Sequence, residues 1–369
     1  MKKVVIGLAF GDEGKGLVVD YLTSKSKKPL VIRFSGGQQA AHNVVVEDKN
    51  HIFSNFGSGT LRGAPTYWSR FCTVDPVGVI KEYDSLIELG VTPILYIDGD
   101  SPITTPYDKF HNKNNKEDLD HGTCGVGVGS TFNREEKFHT FTFSDLFYPW
   151  ILDTKLELIK NFYNDIDLSE QVDEFLTSCY KLTNCENIKL TYDIPTGYDE
   201  IFEGSQGLLL DQWYGFFPHV ARTNTGTKNI LELIKTLWSD LDLYLVTRAY
   251  QTRHGNGPMT NSDIDIDIKI NPKETNVDNK YQGKFKRSIL DVSLLKYGMN
   301  KDKCIRESIN RTLIITCLDH LTEYVFTYEG RMVYCKDEKE FVNRISEILG
   351  IKKVLLSRTP YSENIEKIN

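Results

Sequence analysis

The chain has 369 residues, 40% of them apolar and 26% charged, and a formal net charge of −7. That length supports a substantial buried core, and the acidic balance argues against a general nucleic-acid surface. Seven scattered cysteines with no C-x-x-C pair indicate neither a disulfide framework nor a zinc site. No apolar run is long enough to cross a bilayer, so the expectation is a cytoplasmic protein with no membrane or nucleic-acid partner.

In chain order, the apolar run Val4-Val5-Ile6-Gly7-Leu8 predicts a strand, and Leu17 to Leu22 the start of a helix. Between them Gly11-Asp12-Glu13-Gly14-Lys15-Gly16 reads as a phosphate cradle. Backbone N–H groups and the helix N-terminus attract an anion there, and Lys15 adds a positive charge. Asp12 sets the loop apart. A carboxylate beside a phosphate is repelled unless a metal bridges the two or it serves as a base. The loop is not a Walker A motif, because Gly16 stands where Ser or Thr would ligate Mg²⁺. A plain strand-to-helix turn with a solvated Asp and Lys fits the same residues.

Further strand-like runs are Leu30 to Phe34, Ile94 to Asp98, Glu200 to Glu203, Leu243 to Thr247 and Leu313 to Thr316. Helical patterns at Val79 to Leu89 and Ile230 to Leu237 lie between some of them. This alternation predicts an α/β architecture with a large, mostly parallel central sheet flanked by helices. The polar stretches 108–120 and 261–280 read as surface excursions able to close over a ligand. With no repeat and no linker, one domain over 1–369 is the simplest organisation.

Several segments look like functional loops at strand ends. Gly36 to His42 combines glycines, Gln39 with its two-way amide, and His42, although a lone histidine is more often structural. Gly122 to Thr131 alternates glycines with small and hydroxyl residues, which suits a phosphate or sugar, or a flexible turn. Gln206 in Glu203 to Gly207 is a second amide able to read a base, followed by the hydroxyl-rich Thr223 to Thr227. Gln282 to Arg287 is a basic patch: a solvated face, or a site for a dicarboxylate or polyphosphate. Asp319 ends an apolar strand, where it either caps the strand or accepts from N1–H and the exocyclic amine of guanine.

Together these motifs resemble the adenylosuccinate synthetase family, from Gly11 to about Pro360. The most specific parts are GDEGKG (11–16), GG-x-x-A-x-H (36–42), EGSQG (203–207) and YQTRHGNGP (250–258). The resemblance implies a P-loop-like nucleotide-binding fold with long functional loops. It also implies a carbon–nitrogen ligase that joins L-aspartate to C6 of IMP, with GTP hydrolysis, to give adenylosuccinate for AMP biosynthesis. By that resemblance Asp12 removes the purine N1 proton so that the 6-oxygen can attack the γ-phosphate, and His42 acts as acid. Gly11, Glu13, Gly14, Lys15, Gly16 and Ala41 would serve the GTP phosphates. Cys317, Leu318, Asp319, Ser357, Arg358 and Thr359 would form the guanine pocket. Gln39, Ala40, Thr123, Cys124, Gln206, Ala221 and His254 would hold the acceptor nucleotide. Gln282, Gly283, Lys284, Lys286 and Arg287 would bind aspartate. Mg²⁺ would sit on Asp12 and a carbonyl near Ala41, and the family forms homodimers.

Departures from the family cluster around the acceptor. Cys124 and Ala221 stand where the family has Thr, His254 where it has Val, and Cys317 where it has Lys. The partner-subunit arginine that reaches the phosphate has no clear counterpart after Thr131, with only Arg134 and Lys137 nearby. The pattern raises a second acceptor, dGMP, used by viral synthetases that prepare 2-aminoadenine DNA. Some of those replace the base Asp with Ser, so the retained Asp12 favours IMP. ATP in place of GTP, and a non-catalytic GTPase-type switch module, are the remaining alternatives.

Overall fold

Val4, Val5 and Ile6 are fully buried, as a strand covered on both faces requires. They belong to Lys2–Gly7, an interior strand of a 10-stranded sheet. The computed structural model describes residues 2–234, 240–264, 266–269, 278 and 283–368. From one edge the sheet runs Glu366–Ile368, Lys353–Leu356, Arg311–Thr316, Leu241–Arg248 and Lys2–Gly7. It continues with Asp199–Gly207, Pro29–Arg33, Thr66–Trp68, Leu95–Asp98 and Ile188–Thr191. Neighbours pair in parallel except at Glu366–Ile368, which is antiparallel.

Side chains alternate across this sheet, so neighbours in sequence enter different clusters. Val5 packs with Val18, Val19 and Leu22 of the helix Lys15–Ser24. Val4 and Ile6 join a larger cluster with Leu295 of the helix Val292–Lys301 and Phe341 of the helix Glu338–Leu349. A third cluster, built around Trp68 and Ile97, takes the helices Pro76–Glu88 and Ser169–Asn184. No helix among the described residues is long and apolar enough to cross a membrane.

The five strand-like runs and the helix expected at Val79 to Leu89 are present to within a few residues. The helix expected at Ile230 to Leu237 is Lys228–Ile234, and 235–239 lie outside the described residues. The 108–120 stretch is not a loop. It forms the helices Pro106–Asn114 and Lys116–His121. Thr105 and Asp108 make a reciprocal capping box with Pro106 in the first turn. Asp108 is buried and receives Arg134 Nε at 3.0 Å and the Tyr163 hydroxyl at 2.9 Å. Asp108 is therefore a cap and half of a buried ion pair, whereas Lys113, Asn114, Lys116 and Glu117 are exposed. Of the 261–280 excursion, 265, 270–277, 279 and 280 lie outside the described residues.

Candidate active site

Parallel strands leave their carboxyl ends on one edge of the sheet, where ligands of open α/β folds bind. Loops following Lys2–Gly7, Pro29–Arg33, Leu241–Arg248 and Arg311–Thr316 converge there on one cleft, whose walls include Asp12, Lys15, His42, Arg248, Asp319 and Thr359.

The glycine loop turns through three residues of positive φ, Gly11 at 98°, Asp12 at 60° and Gly14 at 89°. A non-glycine residue in that region is uncommon, and Asp tolerates it better than most. Arg248 Nε donates to the Asp12 carbonyl, and Thr316 Oγ1 donates to the Glu13 carbonyl at 2.8 Å. The turn is thus held from two neighbouring strands, leaving the Asp12 carboxylate partly exposed in the cleft. Glu13 is buried and braces the loop: its carboxylate accepts from the Ala9 and Gly11 N–H groups and pairs with Lys15 Nζ at 2.9 Å. Lys15 and Gly14 line the cleft, whereas Glu13 and Gly11 support it from behind. A Cβ on Gly16 would lie 2.8 Å from the His42 Cβ and 3.1 Å from Ser58 Oγ. The absent Walker hydroxyl therefore has a steric reason: the helix start must admit the His42 side chain.

His42 opens the strand His42–Val46 and is buried, with Nδ1 2.5 Å from Glu203 Oε1. Glu203 also accepts from the Ser58 N–H at 3.0 Å and from the Ser58 hydroxyl. Burial would raise the Glu203 carboxyl, but the His42 hydrogen bond, the His42 and Arg33 charges and Ser58 overcome it and hold it down to about 2. Burial outweighs Glu203 at His42 and lowers the imidazole below its ordinary value. The fixed carboxylate thus accepts a hydrogen bond from Nδ1–H, and Nε2 is buried without a partner among the described residues. In the sequence Glu203 stands only as the end of a strand-like run and the start of EGSQG. The fold makes it the group that orients His42, and the sole sequence signal was an acid at a strand end.

At the far end of the cleft, Cys317 adopts φ 58° and the turn Leu318–His320 presents an exposed Asp319. Ser357 and Thr359 line the same end. Leu318 points into the core, and Arg358 is turned away, paired with Glu338 at 2.6 Å and Glu366 at 2.7 Å. Sequence reasoning missed the chain behind Asp319. His320 Nε2 lies 3.8 Å from Asp319, His320 Nδ1 is 2.9 Å from the Tyr250 hydroxyl, and Arg248 Nη1 donates to that hydroxyl at 2.8 Å.

None of the residues expected to hold the acceptor lines that cleft. Gln39 and Gln206 each keep a buried amide oxygen without a partner among the described residues. Ala40 is buried, and its carbonyl accepts from Arg33 at 3.3 Å. Thr123 donates its hydroxyl to Asn112 at 2.9 Å, burial raises the Cys124 thiol, and Ala221 bonds through its backbone to Leu210. A Cβ on Gly122 would meet Gly255 Cα at 2.9 Å, which brings this loop against the His254 loop. His254 Nε2 lies 3.6 Å from Asp12 Oδ2, with the ring centroid 4.6 Å from that of Phe285. Of the basic patch, Gln282 lies outside the described residues, and Gly283 and Lys284 are exposed. Lys286 donates to the Gly257 carbonyl at 3.0 Å and the Arg287 guanidinium lies over Phe285. Arg134 is fully buried on Asp108 and has no access to this cleft.

A glycine-loop cradle, a cleft at the carboxyl edge of a parallel sheet and an oriented histidine define an α/β nucleotide enzyme. The chain belongs to the adenylosuccinate synthetase family, whose model matches residues 4–368, and it is a ligase of purine biosynthesis that binds GTP and forms a carbon–nitrogen bond. Among curated relatives, the adenylosuccinate synthetase of Francisella philomiragia is 27% identical over 354 residues, covering 90% of this chain and 82% of its own. That of Thermodesulfovibrio yellowstonii is 31% identical over 272 residues, covering 69% and 64%. The fully ligated adenylosuccinate synthetase of Plasmodium falciparum shares the fold at a TM-score of 0.78 and 18% identity, over 100% of both chains. The cyanophage S-2L succinoaminodeoxyadenylate synthetase, bound to dGMP and dATP as an energy donor, matches at 0.65 and 13% identity, over 99% of this chain and 94% of that one.

Proposed function

We propose that this chain, working as a single domain, joins L-aspartate to C6 of IMP at the expense of GTP. The carrying observation is the convergence of Asp12, Lys15 and a Glu203-anchored His42 on one cleft. Oxygen is a poor leaving group from a purine ring, and phosphorylation makes it a good one. Asp12 takes the N1 proton, which places negative charge on the 6-oxygen for attack on the γ-phosphoryl group. His42 is neutral in the unliganded cleft with its proton on Nδ1. An approaching phosphoryl oxygen favours protonation of Nε2, which then donates to the charge that develops on transfer. The aspartate amine next attacks C6, the C6–O bond breaks, and phosphate leaves with the former 6-oxygen. Lys284, Lys286 and Arg287 serve the aspartate carboxylates, and Gln39 and Gln206 the purine edge.

The donor set fits Mg²⁺. Asp12 offers one hard carboxylate and the chain near Ala41 a carbonyl in the same cleft. No cluster of three His, Cys, Asp or Glu able to hold a metal occurs among the described residues. One carboxylate completed by phosphates is how Mg²⁺ is ordinarily held, and the ion would neutralise phosphate charge there. A homodimer and a cytoplasmic location complete the reading, with GTP preferred over ATP through Asp319. One observation favours a second acceptor. The His254 imidazole beside Asp12 puts a polar group where the family's valine packs, and a phage enzyme of the same fold is bound to dGMP. Incubation with aspartate, GTP or ATP, and each of IMP, dIMP and dGMP, with products identified by mass, tests the proposal. Adenylosuccinate from IMP and GTP is expected. Product from dGMP alone would transfer the reading to the second acceptor, and phosphate release independent of aspartate would sink both.

A further inference from the structure

The acceptor pocket described above lacks an evident cation for the 5′-phosphate. Thr123 spends its hydroxyl proton on Asn112, and Cys124 and Ala221 bring no charge. Nearby basic residues are committed elsewhere: Arg134 is buried on Asp108, and Lys137 Nζ lies over the Phe162 ring at 5.6 Å. A doubly charged phosphate held by hydroxyls and backbone alone would be unusually weakly bound.

Arg222 is placed differently. It is exposed, and its guanidinium makes no ion pair or hydrogen bond with any described residue. It directly follows Ala221, whose N–H donates to the Leu210 carbonyl at 2.8 Å, so the segment is held on both sides. Thr223 Oγ1 accepts from the Gly36 N–H at 3.3 Å, and the Thr225 N–H donates to Asp211 at 2.7 Å. A Cβ built on Gly129 would lie 3.9 Å from the Arg222 Cδ, an ordinary van der Waals contact. The side chain therefore passes over the glycine-rich loop at the start of the helix Val128–Glu136. That loop also adjoins the base-reading side of the pocket. A Cβ on Gly37 would meet Val128 Cγ2 at 2.9 Å and Gln39 Oε1, an unpartnered buried atom, at 3.2 Å.

We infer that Arg222 supplies, from within the same chain, the positive charge that holds the acceptor's 5′-phosphate against the Gly122–Thr131 loop. A guanidinium fork can meet two phosphate oxygens at once, and its attachment to a pinned segment limits the freedom lost on binding. The inference rests on the acceptor reading proposed above and adds a residue that neither the glycine-loop motifs nor the family resemblance singled out.

Calorimetric titration of the whole chain with IMP and dGMP, and with inosine and deoxyguanosine, tests it in wild type, Arg222→Ala and Arg222→Lys. Arg222→Ala should lose roughly ten- to a hundredfold in affinity for the monophosphate while nucleoside affinity is unchanged. Arg222→Lys should keep part of the phosphate contribution, because it retains the charge but not the fork. Undiminished monophosphate affinity in Arg222→Ala overturns the inference and leaves the proposed function intact. Equal losses for nucleotide and nucleoside overturn it too, since they report a disturbed loop. Failure of wild type to bind either monophosphate removes the acceptor reading, and this inference with it.

Discussion

The two sides of Asp12 are built on different plans. Around the glycine cradle most polar groups are already satisfied, with His42 Nε2 the exception: Glu13 braces its own loop and Lys15, Glu203 orients His42, and Arg248 fixes the Asp12 turn. Towards the acceptor, Gln39 and Gln206 hold unpartnered buried oxygens, and Cys124, Ala221 and His254 depart from the family's pattern. Electrostatic catalysis needs groups fixed before the charge develops, whereas recognition can leave groups for the ligand to complete. On the proposed reading, the groups that carry the chemistry are held by partners within the chain, and those that recognise the acceptor are left for the ligand to complete.

The sharpest break of that contrast is Asp12→Asn. The amide cannot take the N1 proton, and loss of a general base alone costs about 10²–10⁴-fold in rate. The fold should survive, since this side chain has no buried partner, and near-normal turnover would remove Asp12 from the mechanism. Next comes Glu203→Gln, which offers His42 an amide and frees the wrong tautomer. The turnover number should fall by on the order of 10²-fold, more than nucleotide affinity does. The same variant carries a pH signature. Glu203 is held down to about 2, against an ordinary value of 4.5. It therefore adds stability above pH 4.5 that is lost as pH falls towards 2. Acid titration of unfolding should show Glu203→Gln flatter than wild type over that window. A parallel decline would place the low value in doubt.

Asp319→Asn should be milder, on the order of 1.5–3 kcal/mol against GTP with little change for the acceptor. Measured Michaelis constants for GTP and ATP decide it, and a wild type that prefers ATP would end the guanine assignment. His254→Val should be the smallest, leaving IMP turnover within about threefold or improving it. Selective loss of dGMP turnover would instead show that the imidazole belongs to a reshaped acceptor pocket.

How much of this was legible in the sequence follows the same division. The interior strands and the glycine cradle were readable because buried parallel strands are continuous apolar runs and glycine loops punctuate them. Asp108, Arg134 and Tyr163 were not, because a buried ion pair has the composition of a solvated face. Glu203 and Ser58 escaped for another reason: they lie 145 residues apart and meet only because their segments adjoin His42 in the fold. The Gly16 departure, read first as a weakness in the motif, became intelligible only when His42 was seen packed against it.

The central claim is that the purine 6-oxygen leaves as phosphate. IMP labelled with ¹⁸O at C6, incubated with the enzyme, GTP, aspartate and Mg²⁺, tests it in one mass spectrum. One ¹⁸O is expected in each inorganic phosphate released and none in adenylosuccinate formed alongside it. Unlabelled phosphate, with product or without it, would mean that water and not the purine oxygen attacks the γ-phosphate, and would contradict the roles given to Asp12 and His42.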